Sequence, residues 1–318
     1  MAFENARKLA GVFLFCCAAL IQGCASWTPE TKALAENRPA GIPGARELTD
    51  VPFFPQLEYQ CGPASLAMVL AAAGVKVTPD ELVPEVYLPE RKGSLQVEML
   101  AAPRRHGLVS YQLAQSYAAV VKEVAAGTPV IILQNLGIKN GWHYAVVNGY
   151  DWDNGMVQMR SGLNERQEMP FAMNELIWRR SGYWAMVAVP PDRIPASAEE
   201  NRWLAAIAAF ERVGKPAAAR TAYTTFLERW PDNVNASIGL ANTQYALGEL
   251  REAELVLRDA AKRAPDSTIV LNNLAQVLAD QGRYTEALPF ADRAAASGGS
   301  HADAVSQTRN DILKKLGR

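Results

Sequence analysis

The spacing of apolar and polar positions changes several times along this chain, and each change predicts a different element. Leu9 to Leu20 (LAGVFLFCCAAL) is uninterruptedly apolar and follows Arg7 and Lys8. It is too short to span a bilayer as a mature helix, but it suits the apolar core of a secretory signal. Residues 26 to 50 then carry Pro29, Pro39, Gly41, Pro43 and Gly44 with few large apolar side chains, which predicts a tether. Ala64 to Ala73 (ASLAMVLAAA) has almost no polar face, so it reads as a buried helix with Pro63 in its first turn and Gly74 as its stop. Thr78-Pro79-Asp80-Glu81 starts another helix, Ser94 is read as the cap of a third with apolar positions at Leu95, Met99 and Leu100, and Ser116 to Ala126 is amphipathic and closed by Gly127.

After Gly127 the period becomes that of strands. Thr128 to Gln134, Trp142 to Tyr150, Met156 to Arg160 and Gly182 to Val189 are apolar runs, and Asn154-Gly155 reads as a hairpin turn. Helices first and an antiparallel sheet afterwards predict an α+β domain over residues 48–191. Pro195 to Glu200 reads as a hinge. Beyond it Gly214, Gly248 and Gly282 recur every 34 residues, as do Ala219, Ala253 and Ala287, and Pro231 and Pro265 keep the same interval. That is the period of tetratricopeptide repeats, so residues 196–318 are predicted to form an all-α solenoid of stacked helix pairs. Such arrays offer a groove to a protein partner, with Asn272 and Asn273 as candidate contacts or as part of a solvated helix face.

Charge is nearly balanced, 32 basic against 33 acidic residues, which argues against a broad nucleic-acid footprint. No phosphate-cradling loop and no clustered metal-ligand set stands out, so neither cofactor nor metal is expected. The chemistry on offer is a thiol and an imidazole. Of four cysteines, Cys16, Cys17 and Cys24 lie in or at the end of the N-terminal apolar run, which leaves Cys61. At the first turn of a helix its thiolate is favoured by free N–H groups and the helix dipole, although a small buried hydrophobe is the commoner fate of a free cysteine. Of three histidines, His301 lies in a small-residue tail and His106 at a basic helix end, which leaves His143 at the start of a strand after the Gly137 to Gly141 loop.

Ile21-Gln22-Gly23-Cys24 resembles the lipobox of bacterial lipoproteins. The resemblance implies a signal peptide over residues 1–23, lipidation of Cys24 and a tether over residues 24–47. Ala25 next to it, rather than Asp, resembles the signal for the outer membrane, implying a membrane-anchored envelope protein facing the periplasm. The order Gln, Cys-Gly-Pro-Ala-Ser, His-Tyr-Ala-Val-Val-Asn-Gly-Tyr resembles the bacteriocin-processing (double-glycine leader) peptidases, a papain-like family, from about Val51 to Val189. That resemblance implies Cys61 as nucleophile, His143 as base and then acid, and Gln56 as side-chain donor to the oxyanion with the Cys61 N–H. Gln56 stands five residues before the cysteine, where the family usually has six, so Gln60 is a lesser candidate. The family's Asp, an Asn in papain-like relatives, is replaced by Ser161 in Met159-Arg160-Ser161-Gly162. If Asn154-Gly155 makes a two-residue turn, Ser161 instead faces Asn148. The expectation is an exported, lipid-anchored cysteine peptidase acting on a peptide or protein, with repeats that recruit a partner. Its alternative is a scaffold lipoprotein that keeps the peptidase fold without the activity.

Overall fold

A computed structural model describes residues 28–56, 60–137, 141–297 and 301–318; the signal and lipobox readings, Cys24 included, lie outside them. The chain divides into two compact units, one holding most of the residues up to Val189 and the other most of those from Glu199 onward.

The segment read as a tether is partly built into the first unit. Helix α1 (Pro29–Glu36) is followed by strand β1 (Ala45–Glu47), which pairs antiparallel with a later strand at Tyr150. What holds α1 is a carboxylate: Glu175 accepts from the N–H groups of Glu30 (2.9 Å) and Thr31 (2.7 Å) and from the Thr31 hydroxyl (2.6 Å). These are first-turn donors with no partner inside the helix, and a negative charge there also meets the positive end of the dipole. Proline and glycine content therefore misled the reading, because the docking group lies far along the chain.

Helix α2 (Cys61–Ala72) is buried at every position from Gly62 to Leu70, as its all-round apolar sequence requires. A side chain at position 62 would put its Cβ 2.2 Å from the Ser94 hydroxyl, so only glycine lets the neighbouring loop approach this closely. Helix α3 (Pro79–Val86) begins with a full capping box between Thr78 and Glu81. Helix α4 (Gln96–Arg105) starts one residue later than read: Leu95 is the capping position and Ser94 does not cap, its carbonyl instead accepting from the Tyr144 hydroxyl (3.1 Å). Strand β2 (Val109–Gln112) and helix α5 (Tyr117–Ala125), capped by Ser116, follow.

The sheet is completed by β3 (Val130–Asn135), β4 (Trp142–Asp151), β5 (Met156–Ser161) and β6 (Asn164–Pro170), then helix α6 (Phe171–Trp178) and β7 (Ala185–Val189). Its seven strands run in the order β2-β7-β3-β4-β5-β6, with β1 also on β4. Strand β6 (NERQEMP) has little apolar content and lies at the edge, where half its positions can face water, so it carried no hydrophobic signal. Residues 195–198 are no free hinge. The buried carboxylate of Glu123 accepts from the N–H groups of Ala196 (3.2 Å) and Ser197 (2.7 Å) and from the Ser197 hydroxyl (2.6 Å).

The second unit is helical: α7 (Glu200–Glu211), α8 (Pro216–Arg229), α9 (Val234–Ala246), α10 (Leu250–Arg263), α11 (Thr268–Asp280), α12 (Tyr284–Ala296) and α13 (Ala302–Lys315). The recurring alanines are the contact points, since Ala219, Ala253 and Ala287 are all fully buried. Gly239 serves the same end, because a Cβ there would come within 2.3 Å of the Tyr223 ring. Repeats are also joined by charge. Glu254 accepts from Arg258 (2.8 Å), Gln281 (2.9 Å) and Arg283 (2.5 Å), and Glu286 pairs with both arginines.

Candidate active site

The buried helix α2 brings Cys61 to the sheet. Backbone hydrogen bonds from Tyr144, Gly62 and Cys61 itself favour the Cys61 thiolate, so the sulfur lies against the residue that follows His143. Burial outweighs them and pushes the thiol up from its ordinary value. The helix dipole alone suggested the reverse, and the difference is desolvation: a thiolate loses its water before the N–H groups repay it. The His143 imidazole is pushed down to about 4, again by burial. At neutral pH burial therefore favours the thiol form of Cys61 and the neutral form of the His143 imidazole.

His143 Nε2 lies 3.0 Å from the Ser161 hydroxyl, and what brings them together is an irregularity in the sheet. The connection from β4 to β5 is not a two-residue turn. Asp151 pairs with Met156, and Asp151 is spent on the turn, accepting from the Asn154 N–H (3.0 Å) and side-chain amide (2.7 Å). From there Tyr150 pairs with Val157 and Gly149 with Gln158, but the next pair is Val147 with Met159. Asn148 is the extra residue of a β-bulge. Without it Ser161 would fall opposite Val146, on the face away from His143; with it Val146 meets Arg160, and Ser161 reaches the face of Ala145 and His143. The bulge is pinned from outside the ladder, since Leu48 N–H donates to the Asn148 carbonyl (2.7 Å) and the buried Asn148 amide donates to the Leu48 carbonyl (3.3 Å).

Gln56 is buried, and its amide is fully engaged. Its Oε1 accepts from Gly162 N–H (2.8 Å), while Nε2 donates to the Ser65 hydroxyl (3.1 Å) and to the Tyr144 carbonyl (3.2 Å). A backbone N–H can only donate, which fixes which end of the amide is oxygen. Gln60 is the capping residue of α2, and its side chain makes no capping bond.

The sequence reading passed over Ser65. It is the lone hydroxyl in an otherwise apolar helix, one turn after Cys61, and it is buried and donates to the Tyr144 carbonyl (3.2 Å). That isolation was the available signal. Trp142, next to His143 in the chain, Leu163, two residues after Ser161, and Leu95 are exposed apolar side chains. His106 is engaged elsewhere, 2.8 Å from Glu85, and His301 stands at the start of α13. Among the described residues no group of His, Cys, Asp and Glu could hold a metal ion, and no helix is long and apolar enough to cross a membrane. In the repeats, the Asn273 amide donates to Asn242 (3.1 Å), and Asn272 keeps a buried side-chain oxygen without a partner.

Comparison with known proteins gives two family matches. Residues 48–186 match the Peptidase C39 like family, and residues 204–267 and 238–302 match the tetratricopeptide repeat. Among solved structures, a C39-like peptidase from Bacillus anthracis is 22% identical, over 46% of this chain and 97% of that one, with a TM-score of 0.39. A double glycine motif protease from an AMS/PCAT transporter, solved with its leader peptide, is 23% identical over 45% of this chain and 94% of that one, with a TM-score of 0.35. The TPR2B domain of yeast Sti1 is 18% identical over 36% of this chain and 97% of that one, with a TM-score of 0.35. No protein of curated function matches. The chain joins a domain of the Peptidase C39 like family to tetratricopeptide repeats, a module of protein–protein interaction.

Proposed function

We propose that the first unit is a cysteine peptidase in which Cys61 is the nucleophile, His143 the base and Ser161 the residue that orients the imidazole. The observation that carries this is the 3.0 Å contact between His143 Nε2 and Ser161, on the strand that also meets the Cys61 sulfur at Tyr144. With Nε2 donating to Ser161, Nδ1 is the ring's basic nitrogen. It takes the thiol proton as sulfur attacks the scissile carbonyl, then gives it to the leaving amine nitrogen; water hydrolyses the thioester and restores the thiol. The N–H groups at the start of α2, chiefly that of Cys61, which contacts the Cys61 sulfur at rest, serve the oxyanion, with the Gln60 side chain as the further donor. The exposed side chains of Trp142, Leu163 and Leu95 fit a peptide with apolar side chains near the scissile bond. The repeats recruit a protein partner or substrate, and Cys24, if lipidated, holds the chain at the outer membrane facing the periplasm.

A second reading is supported by burial favouring the uncharged forms of both groups: a scaffold that retains the fold with an idle thiol. Alkylation by iodoacetamide at pH 7.5 separates the two. A peptidase pair labels at Cys61 at least tenfold faster in the wild type than in His143→Ala, within the range of general base assistance. Equal, slow labelling of both proteins supports the scaffold.

A further inference from the structure

Gln56 reaches into all three parts of the site at once. Its Nε2 meets Ser65, one turn along α2 from Cys61; the same nitrogen meets the carbonyl of Tyr144, next to His143; its Oε1 meets the N–H of Gly162, next to Ser161. Its own backbone N–H donates to the Gly162 carbonyl (3.0 Å). The β4–β5 ladder runs only as far as Val146 and Arg160, so the Tyr144 carbonyl lies beyond it and is taken up by the two side chains, Gln56 and Ser65. The Gln56 side chain is buried and its nitrogen already bonded to both acceptors, so it is committed within the fold rather than presented to a substrate oxyanion.

We propose that Gln56, acting with Ser65, is a positioning residue that fixes the nucleophile helix, the base strand and the Ser161 turn at one mutual distance, and that it is not the oxyanion donor. A buried amide satisfied on both ends is well suited to this, because moving any one segment breaks a bond that water cannot replace. A shift on the order of 1 Å between reacting groups costs roughly a hundredfold in rate. Ser65 contributes by bridging the amide to the Tyr144 carbonyl. The proposal rests on Cys61 and His143 working as a pair.

Iodoacetamide distinguishes the roles, because its reaction forms no oxyanion. Sulfur displaces iodide at a saturated carbon, the S–C bond forms as C–I breaks, iodide leaves with the electron pair, and the thiol proton passes to the imidazole. The alkylation rate of Cys61 is measured from pH 5 to 10 for the full chain as wild type, Gln56→Ala, Gln56→Glu, Ser65→Ala and His143→Ala, with circular dichroism and melting as checks of folding. Positioning predicts that Gln56→Ala and Ser65→Ala each lose at least tenfold of the His143-dependent rate and that their pH profiles move toward that of His143→Ala. Gln56→Glu, which keeps the acceptor for Gly162 but sets a carboxylate against the Tyr144 carbonyl, falls between. If Gln56→Ala does not fold, Ser65→Ala decides alone. Wild-type rates in folded Gln56 and Ser65 variants, with His143→Ala slow, overturn this proposal and leave the peptidase reading standing. A wild-type profile identical to that of His143→Ala removes the pair and with it both.

Discussion

A serine stands beside the His143 imidazole where the resemblance implies an acid or amide. Ser161 can accept from the imidazole N–H but contributes no negative charge, which agrees with an imidazole held near 4 by burial with nothing to oppose it. Ser161→Ala should cut the His143-dependent alkylation of Cys61 about tenfold, the ~1.4 kcal/mol of one good hydrogen bond. Ser161→Asp should raise the His143 pKa above its present value of about 4, followed by NMR titration of the ring proton; an unmoved titration would show that residue 161 does not touch the ring. At this scale residue type and order single out Cys61 and His143 as candidates, because thiols and imidazoles are scarce here. They were not enough for Gln56, since which atoms an amide faces depends on Gly162, Tyr144 and Ser65, which lie far apart in the chain.

Among the elements, α2 needed nothing but its own sequence, an apolar run between Pro63 and Gly74. Leu66 is fully buried in it, so Leu66→Ala should cost about 2–5 kcal/mol in urea unfolding, the range for a large-to-small change in a packed core. Helix α1 is the opposite case. Its docking depends on Glu175, and Glu175→Gln, which keeps the shape and loses the charge, should weaken the first unit by about 1–2 kcal/mol and open residues 37–44 to limited proteolysis. An unchanged cleavage pattern would mean α1 is held by other contacts. The bulge at Asn148 belongs at this scale too, because a strand's alternation is legible in sequence but the skipped residue is not. The segment around Leu48 that holds it lies a hundred residues away.

Taken whole, the molecule should lose stability toward acid in two stages. For His143 the unfolded chain binds its proton near 6.5 and the folded chain only near 4. The unfolded state thus holds more protons between those values; the stabilisation is complete above 6.5 and falls away as pH drops toward 4, by on the order of 3 kcal/mol in the first unit. His143→Gln should flatten that limb of the urea stability curve. In the repeats, the arginines around Glu254 hold its carboxyl below 4.5 against the effect of burial, so its contribution is present above 4.5 and is lost only as pH falls through the lower folded value. Helical signal from the repeats should therefore outlast the first unit as the solution is acidified, and Glu254→Gln should narrow the gap.

The 34-residue period, the apolar helix and the change from helical to strand spacing determined the two-part architecture by themselves. Each is a local regularity, and burying a repeated apolar face leaves few ways to fold. The tertiary structure alone decided which face Ser161 takes, whether the thiol gains or loses its proton more easily than in water, and what the Gln56 amide holds. All three turn on a register shift, on lost hydration and on partners brought in from distant segments, and none of these is written in the spacing of neighbouring residues.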